Sequence, residues 1–413
     1  MTVSEITTSG AIHVPKDFSD NAHAFLTQLR EAGPVHNVIL PDGTSSWWVT
    51  RYDAVESVLN DHERFSSEVH HAVASSKVQN SQALIRKDPM LQLVMINRDP
   101  PDHTRMRKLV TGAFNARSVD ALRPRLELLA DELMEEMDSD GVVELVESFG
   151  FPFPVGVICE LLGIPRSESN YFGGLVTQLV GAAAPGEALS AIHGLKEFMI
   201  ATLAEKRAHP TDDVLSNLVR AADEEGLLSE DELPAHALQL LTAGHETSIY
   251  LITGGMFHLL EHRDQLELIR ADMSRLPAAI DELLRYDPPP IPGVFRYATQ
   301  DTDIEGTTIP KGSLVIASIA AANRDATRFT DADTLDVSRE SNPHVAFGGG
   351  IHYCLGARLA RLEGVIAIGG LMRRFPDLRL AVPAEEIRHR PLNFLQRLRE
   401  LPVLLHSQKE VPL

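Results

Sequence analysis

The sequence predicts a mainly α-helical domain with a minor β portion, on three observations. Four long stretches place apolar residues at helical spacing, near 118–137, 188–209, 229–259 and 355–375. After about residue 286 the texture changes to short alternating runs punctuated by Pro288-Pro289-Pro290, Pro292-Gly293, Glu305-Gly306 and Pro310-Lys311-Gly312, the marks of short strands and turns. No internal repeat and no linker of flexible composition divides the 413 residues, so a single domain over 1–413 is expected.

Taken in order, Ser46-Trp47-Trp48-Val49-Thr50 reads as a short strand, and Arg51 to Leu59 as a helix. Helices follow from about Ser118 to Met137 and from Ala188 to His209. The longest is expected from Ser229, where Ser229-Glu230-Asp231-Glu232 matches a capping box, through Leu259. At about 1.5 Å per residue it would reach ~45–50 Å and cross the molecule. Pro234 removes one hydrogen bond near its start. Ser313 to Ala317 reads as a strand, and a loop at Gly348-Gly349-Gly350 precedes a final helix from about Leu355 to Phe375.

Hydrophobic content of 44% and charged content of 23% are those of an ordinary globular protein. No run of about 18 apolar residues is present, and Met1 to Gly10 lacks a basic stretch followed by an apolar one. The expectation is a cytoplasmic protein. A net charge of −20 disfavours nucleic acid and anionic membrane as partners, since both are polyanions. The two cysteines, Cys159 and Cys354, form no disulfide framework and no zinc ribbon.

The sharpest signal surrounds one of them: Phe347-Gly348-Gly349-Gly350-Ile351-His352-Tyr353-Cys354-Leu355-Gly356. A thiolate that ligates iron needs backbone N–H donors close to the sulfur, and glycines at 348, 350 and 356 supply that bare backbone. A helix beginning just after Cys354 adds a positive dipole end that favours the thiolate. A phosphate loop would need Gly-Lys-Ser/Thr where Ile351-His352 stands, and a dinucleotide loop a third glycine where Tyr353 stands. Cys159, on the apolar stretch Val157 to Gly163, reads as an ordinary core cysteine.

The pattern F-G-x-G-x-H-x-C-x-G, running on into Ala357-Arg358-Leu359-Ala360-Arg361-Leu362-Glu363, resembles the haem-binding loop of bacterial cytochromes P-450. The likeness extends from Trp48-Val49-Thr50-Arg51-Tyr52 through Ala322-Asn323-Arg324-Asp325 to Phe375-Pro376. It implies the single-domain cytochrome P-450 fold with a long central helix over the haem. It also implies haem b as cofactor and Cys354 as the axial ligand, with Phe347, Gly348, Gly350 and Gly356 shaping its loop. The overall flavour is that of actinobacterial enzymes that tailor polyketides and macrolides.

Ala243-Gly244-His245-Glu246-Thr247-Ser248 stands in the middle of the long helix. Glycine there costs roughly 1 kcal/mol relative to alanine, and an acid with two hydroxyls in a buried helix asks for a reason. Gly244 is expected to open the helix wall, with Thr247 as hydrogen-bond donor at the oxygen site and Glu246 as proton source. The segment is similar to the family's A-G-x-[DE]-T-T, with Ser248 replacing the second threonine. A polar kink bonded back to i−4 carbonyls is the structural alternative.

The resemblance places propionate-binding positions at His103 and Arg107, four apart on one helix, at Arg296 and at His352. It also makes Glu282 and Arg285 an E-x-x-R brace, with a third partner somewhere in 328–339. Specificity is expected from loops at about Ser67 to Met95, Tyr171 to Ala191, Pro289 to Phe295 and Leu392 to Leu395. The implied partners are O₂, a small organic substrate, and a ferredoxin with its NAD(P)H-dependent reductase; a monomer is expected. A basic island of Arg105, Lys108, Arg358 and Arg361 is the expected docking face for the acidic donor. Rival readings are a haem protein that senses a ligand without turnover and a thiol hydrolase using Cys354 and His352. The Glu246-Thr247 pair speaks against the sensor, which needs no proton relay.

Overall fold

A computed structural model describes residues 12–72, 88–181, 185–391 and 395–407. Residues 73–87, 182–184 and 392–394, parts of three expected substrate loops, lie outside the described residues, as do 1–11.

The first described elements are β1 (Ile12–His13) and α1 (Phe18–Ala32). One face of α1 buries Phe18, Phe25, Leu26 and Leu29. Two of these rings meet Trp48 edge-on at 5.8 and 6.0 Å. Trp48 lies in β3 (Ser45–Val49), the strand expected there, which pairs antiparallel with β2 (Val35–Ile39). Then come α2 (Tyr52–Asn60), β4 (Phe65–Ser66), α3 (Asp102–Thr111), α4 (Ala116–Glu136), β5 (Val142–Glu144) and α5 (Pro152–Leu162). Next are α6 (Ser169–Gly181), α7 (Pro185–Ala208), α8 (Val214–Asp223), α9 (Glu232–Ala243), α10 (Glu246–Glu261), α11 (Arg263–Ala271) and α12 (Leu276–Tyr286). The β-rich region holds β6 (Val294–Ala298), β7 (Thr302–Ile304), β8 (Thr307–Ile309) and β9 (Leu314–Ala317). The last elements are α13 (Ala357–Arg374), β10 (Arg379–Leu380) and β11 (Pro402–Leu404).

Six strands form one sheet in the order β1-β2-β3-β9-β6-β4. The β7–β8 hairpin turns at Glu305-Gly306, where φ is +48° and +84°, the left-handed pair that a tight hairpin requires. The main core lies among the helices: α13 packs on α4, α10 and α12, and Leu283, Ile368 and Met256 belong to one buried cluster. Burying a Leu or Ile side chain of this kind contributes about 1.5–3 kcal/mol.

The expected helix over 229–259 is corrected: α9 and α10 are separate helices that break at Gly244-His245. Its capping box does form, with the Ser229 N–H donating to Glu232 Oε2 at 2.9 Å and the Glu232 N–H to Ser229 Oγ at 3.2 Å. The break has two causes. A Cβ on Gly244 would sit 2.4 Å from Ile158 Cδ1, so α5 presses on the chain where no side chain fits. His245 leaves helical geometry (φ −122°, ψ −39°), and its Nδ1 binds the Leu241 carbonyl at 2.7 Å.

Candidate active site

Cys354 sits at the end of a loop that the backbone itself ties down. Its N–H donates to the Phe347 carbonyl at 2.8 Å, and Gly350 to His352 form one 3-10 turn. Gly348 and Gly350 have φ of +71° and +59°, where an L side chain is strained. Gly350 is doubly required, since a Cβ there would lie 2.6 Å from the Leu59 carbonyl oxygen at the end of α2. Gly356 has an ordinary φ of −85°; its contribution is its N–H, which donates to the sulfur. Burial pushes the Cys354 thiol up, while that N–H and the guanidiniums of Arg107 and Arg361 pull the other way. Arg361 lies 4.5 Å over the Phe347 ring. Cys159 is the inert partner in this comparison: it is buried in α5 and its thiol is pushed up to about 12 by burial.

Beside the loop the structure gathers the four basic side chains expected together. The His103 and His352 rings are 4.4 Å apart. His352 Nε2 meets Ser67 Oγ at 2.9 Å, and Arg107 Nη2 donates to the Tyr353 carbonyl at 2.7 Å. Arg296 is buried in β6, bonding the Phe295 carbonyl. Both His103 nitrogens are buried without a partner. Burial and then Arg107 hold His103 down at about 4; burial, Arg296 and His103 push His352 to about 2; burial lowers Arg296 to about 10. Asp99 spends its carboxylate on Ser66 Oγ and the Ser67 N–H. Two guanidiniums, half-buried Arg107 and buried Arg296, beside two neutral imidazoles and with so few acceptors, make a site built for an anion.

At the helix break, Ala243 is exposed and Thr247 half-buried, while His245, Glu246 and Ser248 between and beside them are buried, so Ala243 and Thr247 lie on the outer side of the break. Thr247 Oγ1 donates to the Ala243 carbonyl at a loose 3.4 Å. Gly244 does not open that wall, as the sequence suggested: it faces Ile158, and Ala243 is the small residue on the outer side. Glu246 is buried, with Oε1 3.4 Å from Arg397 Nη1 and 3.7 Å from His245 Nε2. Ser248, also buried, hydrogen-bonds Glu363 of α13, whose other oxygen is unpartnered and whose carboxyl burial raises to about 8.

Sequence reasoning missed Arg397 and Glu363. Glu363 carried a weak signal, an acid at an apolar-spaced position of the final helix; Arg397 carried none. The third member of the brace is Arg339, whose Nε donates to Glu282 Oε2 at 3.1 Å beside the Arg285–Glu282 pair. The expected basic island is corrected at Arg105. That guanidinium is tied to Glu232 at 2.6 Å and Asp102 at 3.1 Å and presents no free charge. Arg358 and Arg361 are paired as well, with Asp120 and Asp281 at 2.7 Å each, whereas Lys108 is exposed.

Comparison with known proteins gives a consistent result. Residues 187–395 match the family model described as Cytochrome P450. The chain is 40% identical over 388 residues to "Cytochrome P450 107B1" of Saccharopolyspora erythraea, covering 94% of this chain and 95% of that protein. It is 39% identical over 403 residues to 6-deoxyerythronolide B hydroxylase of the same organism, covering 95% and 99%. Among solved structures, the tirandamycin C-bound P450 monooxygenase TamI superposes with a TM-score of 0.88 at 38% identity, covering 95% of this chain and 100% of that one.

Proposed function

The chain belongs to the cytochrome P450 family of haem-thiolate monooxygenases, and from that premise we propose that it oxidises a polyketide- or macrolide-like small molecule. One oxygen atom of O₂ enters a C–H or C=C bond of that substrate by hydroxylation or epoxidation. The other leaves as water, with two electrons from a ferredoxin and its NAD(P)H-dependent reductase. Cytoplasmic location and a monomeric state belong to the same proposal. Among the described residues, no helix is long and apolar enough to cross a membrane.

The observation that carries this reading is the unpaired basic cluster beside the Cys354 loop. None of His103, Arg107, Arg296 and His352 has a carboxylate within ion-pair distance among the described residues. Two propionates match that need in charge and number of acceptors, so the residues present fit haem b. Cys354 Sγ would hold the iron, with the Gly356 N–H and the start of α13 moderating the sulfur. Haem, when bound, supplies the iron at which O₂ is activated.

The chain's own groups manage protons. The Thr247 hydroxyl, only loosely held by the Ala243 carbonyl, is free to turn away from it and donate. Glu246, its neighbour, replaces the proton that Thr247 gives up. Ala243, small and exposed one turn before Thr247, puts no bulky side chain on that face of the helix break.

The test is turnover under ¹⁸O₂ with a ferredoxin, its reductase and NAD(P)H. Macrolactones and linear polyketides, first screened for a substrate-induced shift of the haem spectrum, serve as substrates. One ¹⁸O atom per product is expected. Product oxygen drawn from water, or no binding by any of these compounds, overturns the assignment.

A further inference from the structure

We infer that the dipeptide Gln396-Arg397, just before β11, is a strap that positions the proton-donating acid, with Arg397 receiving the Glu246 carboxylate and Gln396 anchoring Arg397. The inference rests on the reading of Glu246 as proton source.

Arg397 and Glu246 are 2% and 4% exposed and lie 151 residues apart in sequence. A lone buried carboxylate is costly, and the Arg397 guanidinium is the cation the fold brings to it. The pairing is loose, at 3.4 Å through one nitrogen, and Arg397 Nε has no partner. The guanidinium lies 5.5 Å from the Phe151 ring centroid. The other charges acting on it are Arg390, Glu147 and Glu144. His245 does not replace that guanidinium: its Nδ1 donates to the Leu241 carbonyl, and the lone pair on Nε2 stands unpartnered 3.7 Å from Glu246 Oε1, beyond hydrogen-bond distance.

What makes the arrangement a strap is its neighbour. Gln396 Nε2 donates to Asp287 Oδ1 at 2.6 Å, its N–H donates to the Pro289 carbonyl, and its Oε1 lies 3.2 Å from the Tyr250 hydroxyl, whose one proton goes to Asp287, the acceptor the two side chains share. Asp287 is buried and also bound by His23, His258 and Tyr250 at 2.7, 2.7 and 2.5 Å. Tyr250 lies one turn after Glu246 on α10. The dipeptide is thus fixed to α10 at two successive turns, once through Gln396 and once through Arg397.

The consequence is chemical. When Glu246 gives its proton to the Thr247 oxygen, and Thr247 passes its own onward, a carboxylate is left in the interior. Arg397 is in place to meet that charge, and the looseness of the contact lets the carboxyl group swing between the guanidinium and the Thr247 side. Arg397 is therefore a positioning residue that acts through Glu246.

The experiment uses the holoenzyme. Product formation is measured with NAD(P)H, ferredoxin and reductase, and separately with hydrogen peroxide alone, which brings both oxygen atoms with their protons. The variants are Arg397→Met, Arg397→Gln, Glu246→Gln and Glu246→Gln/Arg397→Met. Misplacing a catalytic group costs about 10²-fold, so a loss of that order is expected in NAD(P)H-driven turnover for both Arg397 variants. Peroxide-driven turnover should stay within about twofold, and the double variant within about twofold of Glu246→Gln, because the two residues act as one unit. If Arg397→Met does not retain haem, Arg397→Gln decides alone. Unchanged NAD(P)H-driven turnover, losses that multiply in the double variant, or an equal fall in the peroxide reaction overturns the inference while Glu246→Gln remains impaired. A Glu246→Gln enzyme with full coupling removes the acid itself, and the strap with it.

Discussion

Replacing Glu282 with Gln changes one atom of a buried carboxylate and tests how the loop before Cys354 is held. Glu282 Oε1 accepts from Arg285 Nη2 at 2.8 Å and the Asp336 N–H at 2.9 Å. Oε2 accepts from Arg285 Nε at 2.8 Å, Arg339 Nε at 3.1 Å and Asn342 Nδ2 at 3.2 Å. A glutamine keeps one acceptor oxygen and turns an NH₂ toward the remaining donors, leaving two guanidiniums with no counter-charge. Removing one partner of a buried ion pair costs about 3–5 kcal/mol; losing two charge-assisted bonds at ~1.5–3 kcal/mol each gives the same range. The expected loss is about 4 kcal/mol, a large part of the ~5–15 kcal/mol that holds a typical domain. It should reach the haem loop, because Arg285 also binds the carbonyls of Asn323, Ala332 and Thr334, and Asn323 Oδ1 accepts the Val345 N–H. Guanidinium chloride titrations, followed by tryptophan fluorescence and by the haem band, measure it. A loss under about 1 kcal/mol would refute the claim that this network braces the loop.

Three further outcomes follow from individual contacts. His236 is fully buried with both nitrogens unpartnered, and burial holds it at about 4, below its ordinary 6.5. A depressed folded-state value means the stability is present above pH 6.5 and lost as pH falls from 6.5 toward 4, so His236→Leu should reduce the acid-induced loss across that window by about 3 kcal/mol; parallel pH–stability curves for the two proteins would contradict this. Gly350→Ala, with a Cβ 2.6 Å from the Leu59 carbonyl, should impair haem retention on gel filtration, whereas Gly356→Ala, whose Cβ meets only Phe114 at 4.0 Å, should keep it. Thr247→Ala should bind haem and substrate normally but form product ~10²–10⁴-fold more slowly per NAD(P)H consumed, as expected for a lost proton donor; product and NAD(P)H assays on the same sample show whether coupling is kept.

What the sequence makes legible is local. The Cys354 loop, the capping box at Ser229 and the helix ending near Arg374 are each specified by residues within a few positions of one another. The break at Gly244-His245 is legible only as the alternative of a polar kink, which the i−4 bonds of His245 and Thr247 show; its further cause, Ile158 of α5 pressing from more than eighty residues away, is not. Arg339, Arg397 and Arg105 show the same limit. A charge at a given position does not announce its partner, and the partners here are Glu282, Glu246 and Glu232, each reached only through the tertiary fold. Arg105 is the instructive case, since helical spacing turned it off the side of His103 and Arg107 but left open whether it meets solvent or another helix.

The account's central claim is that Cys354, and not Cys159, ligates the iron. The most direct measurement is the absorption spectrum of the reduced, CO-bound protein for Cys354→Ala and Cys159→Ala beside the unaltered chain. Cys159→Ala should keep the thiolate-type spectrum and full oxygenation, because that thiol is buried in α5 and pushed up to about 12. Cys354→Ala should lose both. A thiolate-type spectrum that survives in Cys354→Ala would contradict the account.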